Sequence, residues 1–528
     1  MSTLIPPPAA WRTCAREVWL PTAREMAEFD RRAVESGATS ERALIESAGR
    51  ELAHRVQFHF PSGTVTALAG AGHNGADALV AARTLAAWGR PVRLCRVTDR
   101  PVDPDVLAGW DLPIESAEQF LAAPPSDGVI IDGILGTGLR GPPREPVASL
   151  IRAVAELNLP IVAVDGPSGA SLESGEVPGA CIQADLTVTF GWPKLGLLRF
   201  PARDRAGVIE SVEIGFPVSG REFGARAITG RWVRDLLSAR PSDAHKGRAG
   251  YVAVVAGGRG MAGAAVLAVR AAMRGGAGIV RAVSDPANRE ILQVSVPGAV
   301  FAGWDDPVHW RDAIEWSGAI AVGPGLGRDE EAKKLVTGVL AARGSRPVVL
   351  DADGLSVWQE APEGLADLLN SADVITPHPG ELARILGTAV EAITVDPTTH
   401  VREAADRFGC TVVLKGAPTL VASGEDPILV TTVGGPALAA GGTGDVLTGL
   451  IGALLGSGSS ASAAAASALF LSGLAAEMGG CTEGHAAEDV PDRIPTIRRE
   501  VESLQADGEG PVNFVSASSA KPGGGLKP

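Results

Sequence analysis

The sequence is short of aromatic residues, of cysteine and of positive charge, and each shortage removes a class of protein. Aromatic side chains make up only 4% of the 528 residues. Five cysteines (Cys14, Cys95, Cys181, Cys410, Cys481) are scattered with no Cys-x-x-Cys pair, which argues against a disulfide framework or a cysteine zinc site and for a reducing compartment. Lysine and arginine number 47 against 61 acidic residues, a net charge of −14. That balance argues against a nucleic-acid surface, which relies on basic stripes. Apolar runs are broken by glycine or charge before they reach spanning length, and Met1–Leu20 lacks the uninterrupted apolar core of a signal peptide. A soluble, cytoplasmic chain with no membrane partner is the expectation.

What is abundant is small and apolar. Hydrophobic residues make up 45% of the chain and glycine contributes 66 positions. Small residues let helices pack closely on a parallel sheet, so the composition suits α/β architecture. The length calls for two or three cores. After an irregular start, Thr22–Val56 reads as helical. Strands are predicted at Thr64–Ala69, Pro91–Val97, Gly128–Asp132, Pro160–Asp165 and Ala184–Phe190, with helices at Ala76–Trp88 and Val147–Leu157. Between Pro217 and Gly250 the pattern weakens to proline, glycine and one short helix around Arg231–Leu237. A second series follows at Tyr251–Ala256, Gly278–Val283, Ala319–Val322, Pro347–Asp351, Val374–Thr376 and Thr411–Lys415. The expected organisation is α/β, with two three-layer doubly wound domains at residues 1–225 and 226–505. A tail at 506–528, rich in glycine, serine, proline and lysine, is expected to be disordered.

The sharpest local signal is Gly441-Gly442-Thr443-Gly444-Asp445 leading into the apolar helix Val446–Leu455. A glycine turn feeding a helix start exposes backbone N–H groups, and the helix dipole adds partial positive charge, so phosphate fits there. Asp445 in the first turn can accept a proton from a hydroxyl held within reach. An aspartate there can also simply cap the helix. Three neighbouring turns favour the functional reading. Thr376-Pro377-His378-Pro379-Gly380-Glu381, Lys415-Gly416 and Gly323-Pro324-Gly325-Leu326-Gly327 each close a strand, all on the carboxyl side of one sheet.

These motifs, with His245-Lys246-Gly247, Gly263-Ala264-Ala265 and Asp351-Ala352-Asp353, occur in the order seen in ADP-dependent NAD(P)H-hydrate dehydratases, which the chain resembles over roughly Thr229 to Glu500. The resemblance implies a ribokinase-like fold, with Asp445 as base on the substrate hydroxyl. It implies that Ala264, Gly325 and His378 line the hydrated nicotinamide site. Lys415, Gly416, Ala417, Pro418, Thr419 and Gly444 would hold the nucleotide, with ADP as phosphoryl donor and Mg2+ in support through Glu381. Gly298, Gly435 and Ala440 depart from the usual family residues.

In the N-terminal half, Gly70-Ala71-Gly72-His73-Asn74-Gly75 satisfies Gly-x-Gly-x-x-Gly between a strand and a helix, and Asp99 stands where a ribose-binding acid could. Alone this suggests a Rossmann dehydrogenase. The polar continuation Asn74-Gly75-Ala76-Asp77 does not fit one, since dehydrogenases keep the motif apolar. Asp132–Leu139, Asp165-Gly166-Pro167-Ser168-Gly169 and Gly191–Gly196 complete a pattern that resembles the Rossmann-like NAD(P)H-hydrate epimerase domain, over about Leu20 to Phe216. The resemblance implies K+ bound by Asn74, Asp132 and Ser168. It implies that Gly133, Gly136, Thr137, Gly138 and Asp165 contact the hydrated cofactor. His73, Ala76 and Gly166 depart from the pattern, and His73 is expected to face solvent. The fused pair implies repair of hydrated NADH and NADPH, with hydrate and adenine nucleotide as small-molecule partners and a homo-oligomeric state. The alternative is a ribokinase-like small-molecule kinase carrying a non-catalytic Rossmann-like module.

Overall fold

The computed structural model describes residues 17–98, 104–217, 220, 222–237, 250–479, 484–504 and 512–515. Asp99, His245-Lys246-Gly247, Cys14 and Cys481 lie outside the described residues. The chain divides into two compact units, Met1–Arg226 with Asp507–Pro528, and Ala227–Ala506.

The first unit opens with two helices, α1 (Ala23–Glu35) and α2 (Glu41–His59), where the sequence suggested one helical stretch. Ser40 starts the second helix by accepting a hydrogen bond from the Ala43 N–H, so the break falls at a capping signal hidden inside a continuous apolar periodicity. There follow β1 (Val65–Ala69), α3 (His73–Ala87), β2 (Val92–Arg96), β3 (Ile114–Ser116), α4 (Ala117–Ala122), β4 (Val129–Gly133), α5 (Val147–Ala155), β5 (Ile161–Val164), β6 (Leu186–Phe190) and β7 (Val208–Val212). Helix α3 begins three residues earlier than predicted, so His73 and Asn74 belong to its first turn rather than to the glycine turn.

The sheet order is β7-β6-β5-β4-β1-β2-β3, parallel throughout, with the order reversing between β1 and β4. That reversal opens a crevice at the strands' carboxyl ends. Alternation divides the core. Val65, Ala67, Ala69, Val129, Ile131, Val162 and Val164 pack with the α1–α3 side, while Leu68, Cys95, Ile130 and Ile161 pack with Phe120 and Ile151 of α4 and α5. The unit is therefore three-layered.

Of the tail expected to be disordered, only Val512–Val515 lies among the described residues, and that segment is a strand. Val512–Val515 pair antiparallel with β7 in the register Val512↔Ser211 to Val515↔Val208. The apolar run Val512-Asn513-Phe514-Val515 meets a free strand edge and adds to it, a signal that the surrounding glycine and serine concealed.

The second unit carries a ten-stranded sheet. It comprises β8 (Ala225–Ile228), whose first two residues belong to the other unit, then β9 (Tyr251–Val255), β10 (Ile279–Ser284), β11 (Val300–Gly303), β12 (Ala319–Val322), β13 (Val348–Leu350), β14 (Val374–Ile375), β15 (Thr411–Leu414), β16 (Leu420–Ala422) and β17 (Ile428–Thr431). The order is β11-β10-β9-β12-β13-β14-β15-β16-β17-β8, parallel from β11 to β15, then antiparallel through β16 and β17. Helices α6 (Ala262–Gly275) and α8 (Thr443–Gly456) pack on each other, while α7 (Pro379–Leu386) follows β14. Glycines on α8 allow this closeness: a Cβ at Gly449 would lie 2.0 Å from the Ala268 carbonyl oxygen of α6. No helix among the described residues is long and apolar enough to cross a membrane.

Candidate functional site

In the second unit the turn before α8 is the centre of a polar cluster. Gly442 caps the helix with φ +93°, a conformation that a side chain would strain. Asp445 is the third residue of α8, held in the first turn among the free N–H groups. Burial, followed by repulsion from Asp351, raises its pKa to about 7, although Lys415 pulls the other way. Asp445 therefore sits at the protonation balance suited to taking a proton at neutral pH.

Two strand ends supply the rest. Asp351, at the end of β13, is 1% exposed and fully engaged. Its Oδ1 accepts from Lys415 Nζ at 2.7 Å and its Oδ2 from Thr448 Oγ1 of α8 at 2.8 Å. Lys415, at the end of β15, also lies 3.8 Å from Glu381. Burial disfavours its charge, but Asp351, Glu381 and Asp445 together outweigh that and hold its pKa above the usual value. A Cβ placed on Gly444 would lie 3.4 Å from Asp351 Oδ2 and 3.6 Å from Lys415 Nζ, so the glycine turn and the ion pair adjoin. The cluster can hold an anion and accept a proton beside it.

The remaining sequence candidates surround this point in different ways. Gly325 packs on Ala264, since a Cβ there would come within 2.9 Å of the Ala264 Cβ. The Gly325 carbonyl accepts from the Gly258 N–H at 2.6 Å, lacing together the loops that leave β9 and β12. Asp353 pins the same glycine loop by accepting from the Gly327 N–H at 2.9 Å. His378 commits Nδ1 to capping α7, accepting from Gly380 and Glu381, and Glu381 reciprocates on the His378 N–H. The His378 Nε2 lies 3.5 Å from Glu381 Oε1, and the imidazole stays half exposed. Gly416 to Thr419 form the tight turn between β15 and β16, where the Thr419 hydroxyl donates to the Gly416 carbonyl at 2.9 Å. Gly435 and Ala440 sit in the segment leading to α8, and the Ala440 carbonyl accepts from the Thr443 hydroxyl at 3.0 Å. Gly298 is exposed between two other elements.

In the first unit the crevice is a cavity of about 410 Å³ at the carboxyl ends of β1, β5 and β6, roofed by α1 and α2. Asp165 lines it in a left-handed conformation, φ +64°. Its Oδ1 accepts from Lys194 Nζ, from Thr189 Oγ1 at 2.7 Å and from the Phe190 N–H at 3.3 Å. Lys194, within the Gly191–Gly196 segment, is 2% exposed and paired to Asp165. Thr137 and Asn74 also line the cavity. Asp77, on α3, lies there too, its pKa pushed well above the ordinary value by burial and then by Asp165.

Beside the cavity, Asp132 and Ser168 are in direct contact, and Asn74 and Ser168 both donate to the Leu135 carbonyl. Asp132 is 0% exposed and accepts from the Ser168 hydroxyl at 2.6 Å, the Ser168 N–H at 2.8 Å and the Ile134 N–H at 3.3 Å. Asn74 donates to the Val164 carbonyl at 2.5 Å and the Leu135 carbonyl at 3.4 Å. Gly136 closes against it, for a Cβ there would lie 2.5 Å from Asn74 Oδ1. Among the described residues no cation pairs with Asp132, and burial lifts its pKa to about 6. Asp132 is thus not a solvated strand end. Gly133 ends β4 beneath the Asn74 carbonyl, while Gly138 lies in the loop beyond, with open space around it.

A family model described as NAD(P)H-hydrate dehydratase matches residues 252–495, and one described as YjeF-related protein N-terminus matches residues 41–196. A bifunctional NAD(P)H-hydrate repair enzyme of Moorella thermoacetica is 34% identical over 93% of this chain and 100% of its own length. The corresponding Escherichia coli enzyme is 35% identical over 82% of this chain and 84% of its own. The chain belongs to the bifunctional NAD(P)H-hydrate repair enzymes. Among solved structures, the ADP/ATP-dependent NAD(P)H-hydrate dehydratase of Bacillus subtilis, co-crystallised with ATP and Mg2+, is 30% identical, covering 52% of this chain and 98% of that one, with a TM-score of 0.46.

Within the repair-enzyme family pattern, the three N-terminal departures cause little disturbance. Ala76 is 4% exposed inside helical α3, away from any left-handed backbone, so its methyl is packed rather than strained. His73 is exposed as expected, yet its Nε2 lies 2.7 Å from Glu41 of α2, bridging the mouth of the cavity. Gly166 faces Leu172, whose Cδ2 would come within 2.5 Å of an added Cβ. Sequence reasoning missed Asp351 and Thr448 as site residues, although Asp351 stood in a quoted motif. It also missed Asp30, which no motif contains.

Proposed function

We propose that the first unit interconverts the R and S hydrates of NADH and NADPH, and that the second dehydrates the S hydrate with ADP. The observation that carries this reading is Asp445 in the first turn of α8, raised to about 7 beside the Lys415–Asp351 pair and the glycine turn. Hydroxide is a poor leaving group. Asp445 removes the hydroxyl proton, the oxygen takes the terminal phosphoryl group of ADP, and AMP departs. The α8 N–H groups and Lys415 stabilise the charge that moves with the phosphoryl group. Phosphate then leaves with the help of the ring nitrogen, a neighbouring carbon loses a proton, and the dihydronicotinamide is restored. Ala264, Gly325 and the exposed imidazole of His378 are assigned to the hydrated ring, and Gly416 to Thr419 with Gly444 to the nucleotide. Glu381, a buried carboxylate in the first turn of α7, would hold Mg2+, which would supply charge neutralisation for the phosphates.

In the first unit, Asp165, Thr137 and the Gly133–Gly138 loop are assigned to the hydrate. K+ fits the set Asn74, Asp132 and Ser168, because Asp132 is a buried carboxylate whose partners are all neutral donors. A bound cation would neutralise that charge. Cytoplasmic location and self-association belong to the same reading, and sedimentation of the purified chain tests the second. The deciding assay supplies mixed R and S hydrates with ADP. Full recovery of dihydronicotinamide absorbance, with AMP and phosphate released, is expected. A stable phosphorylated product would instead make the second unit a small-molecule kinase.

A further inference from the structure

Inverting one carbon of a substrate needs a proton donor and a proton acceptor on opposite faces of that carbon. The motif-derived groups of the N-terminal cavity come from one wall only. Asp165 and Lys194 stand at the strand ends, and Asp77 rises beside them on α3. Asp165 is paired to Lys194, which makes it an acceptor. Helices α1 and α2 cover the same cavity, and α1 contributes Asp30, one turn after the cavity-lining Met26 and within electrostatic reach of Asp165 and Lys194.

Asp30 is firmly placed. Thr22 and Glu25 cap α1 reciprocally, with Thr22 N–H to Glu25 Oε2 at 2.7 Å and Glu25 N–H to Thr22 Oγ1 at 3.1 Å. Its neighbour Phe29 is held edge-on by Trp192, Phe216 and Phe223 at centroid distances of 5.4–5.7 Å. Yet Asp30 Oδ1 is buried with no hydrogen-bond partner. A carboxyl oxygen left unpaired in a cavity wall is costly unless a ligand completes it. The charged groups around Asp30 are Arg31 and Glu35 on its own helix, Glu41 of α2, His73 and Asp77 of α3, and the Asp165–Lys194 pair. Arg31 is engaged with Glu28 and Glu35, and Glu41 with His73. Burial raises the Asp30 pKa to about 6, against the pull of Lys194 and with the push of Asp165.

We propose that Asp30 is the catalytic acid of the N-terminal unit, working across the cavity from Asp165 as base; this rests on the epimerase reading of that cavity. Asp30 gives its proton to the ring-carbon hydroxyl, the C–O bond breaks, water departs, and the ring nitrogen lone pair forms a C=N bond. Water then adds to that carbon from the opposite face. The C=N electron pair returns to nitrogen, and the proton released goes to the Asp165 carboxylate. The substrate is isomerised with no net gain or loss of atoms, and exchange with solvent resets the two carboxyl groups. In the reverse direction the roles are exchanged.

The test supplies pure R hydrate without nucleotide to the full chain and follows R-to-S exchange by chromatography. Asp30→Asn is expected to slow exchange about 100-fold or more in kcat, with KM little changed. Dehydration of S hydrate with ADP, read on the same chain, is expected to stay within about twofold of wild type. Wild-type exchange is expected to fall as pH rises through about 6, and the variant's residual exchange to lack that limb. Unchanged exchange in Asp30→Asn, or the same limb in its residual rate, overturns the proposal. Should that variant fail to fold, Asp30→Glu serves: a lower rate with a displaced limb supports the role, and an unaltered rate and limb overturns it. A wild-type chain that dehydrates S hydrate but never exchanges epimers defeats the epimerase reading itself, and the role of Asp30 with it.

Discussion

Both units place carboxylates at the carboxyl ends of a parallel sheet, but they surround them with opposite resources. In the first unit the cavity is walled by side chains: Asp30, Asp77 and the Asp165–Lys194 pair face one another, and Asp132 is buried behind them among neutral donors. In the second unit the main chain does the work. A glycine turn presents the N–H groups of α8, with Asp445 and the Asp351–Lys415 pair beside them. Proton shuffling needs several titratable groups of different strength in one cavity, whereas moving a phosphoryl group needs fixed positive dipoles and a single base. The contrast predicts that each unit can be disabled without touching the other.

The largest expected effect comes from Asp445→Asn. Loss of a general base costs about 100- to 10,000-fold, so dehydration of S hydrate should fall by that factor while R-to-S exchange and nucleotide affinity hold. Parallel loss of both activities would mean that the units are not independent. Next is Lys415→Gln. A charge-assisted hydrogen bond to phosphate contributes about 1.5–3 kcal/mol, so kcat/KM for ADP should drop roughly 10- to 100-fold. An ADP dependence like that of wild type would remove Lys415 from the nucleotide site.

These two residues also mark how far the sequence could be read. Asp445 and Gly442–Gly444 are contiguous, and a glycine turn entering an apolar helix is a local signal. Asp351 was visible in Asp351-Ala352-Asp353, but its meaning lies in partners 64 and 97 residues away, Lys415 and Thr448, which no spacing rule connects. Asp30 is harder still. It stands on an amphipathic helix where an acid normally means a solvated face, and only the folded cavity shows otherwise. The alternation of apolar runs with glycine turns was enough for two α/β sheets. It could not place the strand at Val512–Val515, which is decided by a partner distant in sequence, and it passed over the helix break at Ser36–Ser40 because the local cap at Ser40 lies inside a continuous apolar periodicity.

A smaller and more diagnostic effect is expected from Asp351→Asn. Repulsion from Asp351 helps to hold Asp445 near 7, so dehydration by the wild type should rise through about pH 7 as Asp445 loses its proton. Removing the Asp351 charge lowers that pKa, and releasing Lys415 from Asp351 lets it lower the pKa further. The midpoint of the rising limb should move down by about one pH unit or more, with exchange of epimers unaffected. A midpoint that stays put would show that burial alone sets the strength of the base.

The smallest effect separates the units by stability rather than rate. Asp132 has a folded pKa of about 6 against an ordinary aspartate value of 3.8, so between those values the folded chain holds more protons than the unfolded one. Stability therefore falls as pH rises from about 4 to about 6, and that loss persists at neutral pH. A cation that binds the ionised carboxylate offsets it. At pH 7 the first unit should melt a few degrees higher in K+ than in a large organic cation, since each kcal/mol moves Tm by about 2–4 °C in a unit of this size. At about pH 4, where Asp132 is protonated, the difference should vanish. Asp132→Asn should abolish the K+ increment while leaving the second unit's transition in place, and a K+ increment that survives in that variant would put the cation somewhere other than the Asn74–Asp132–Ser168 cluster.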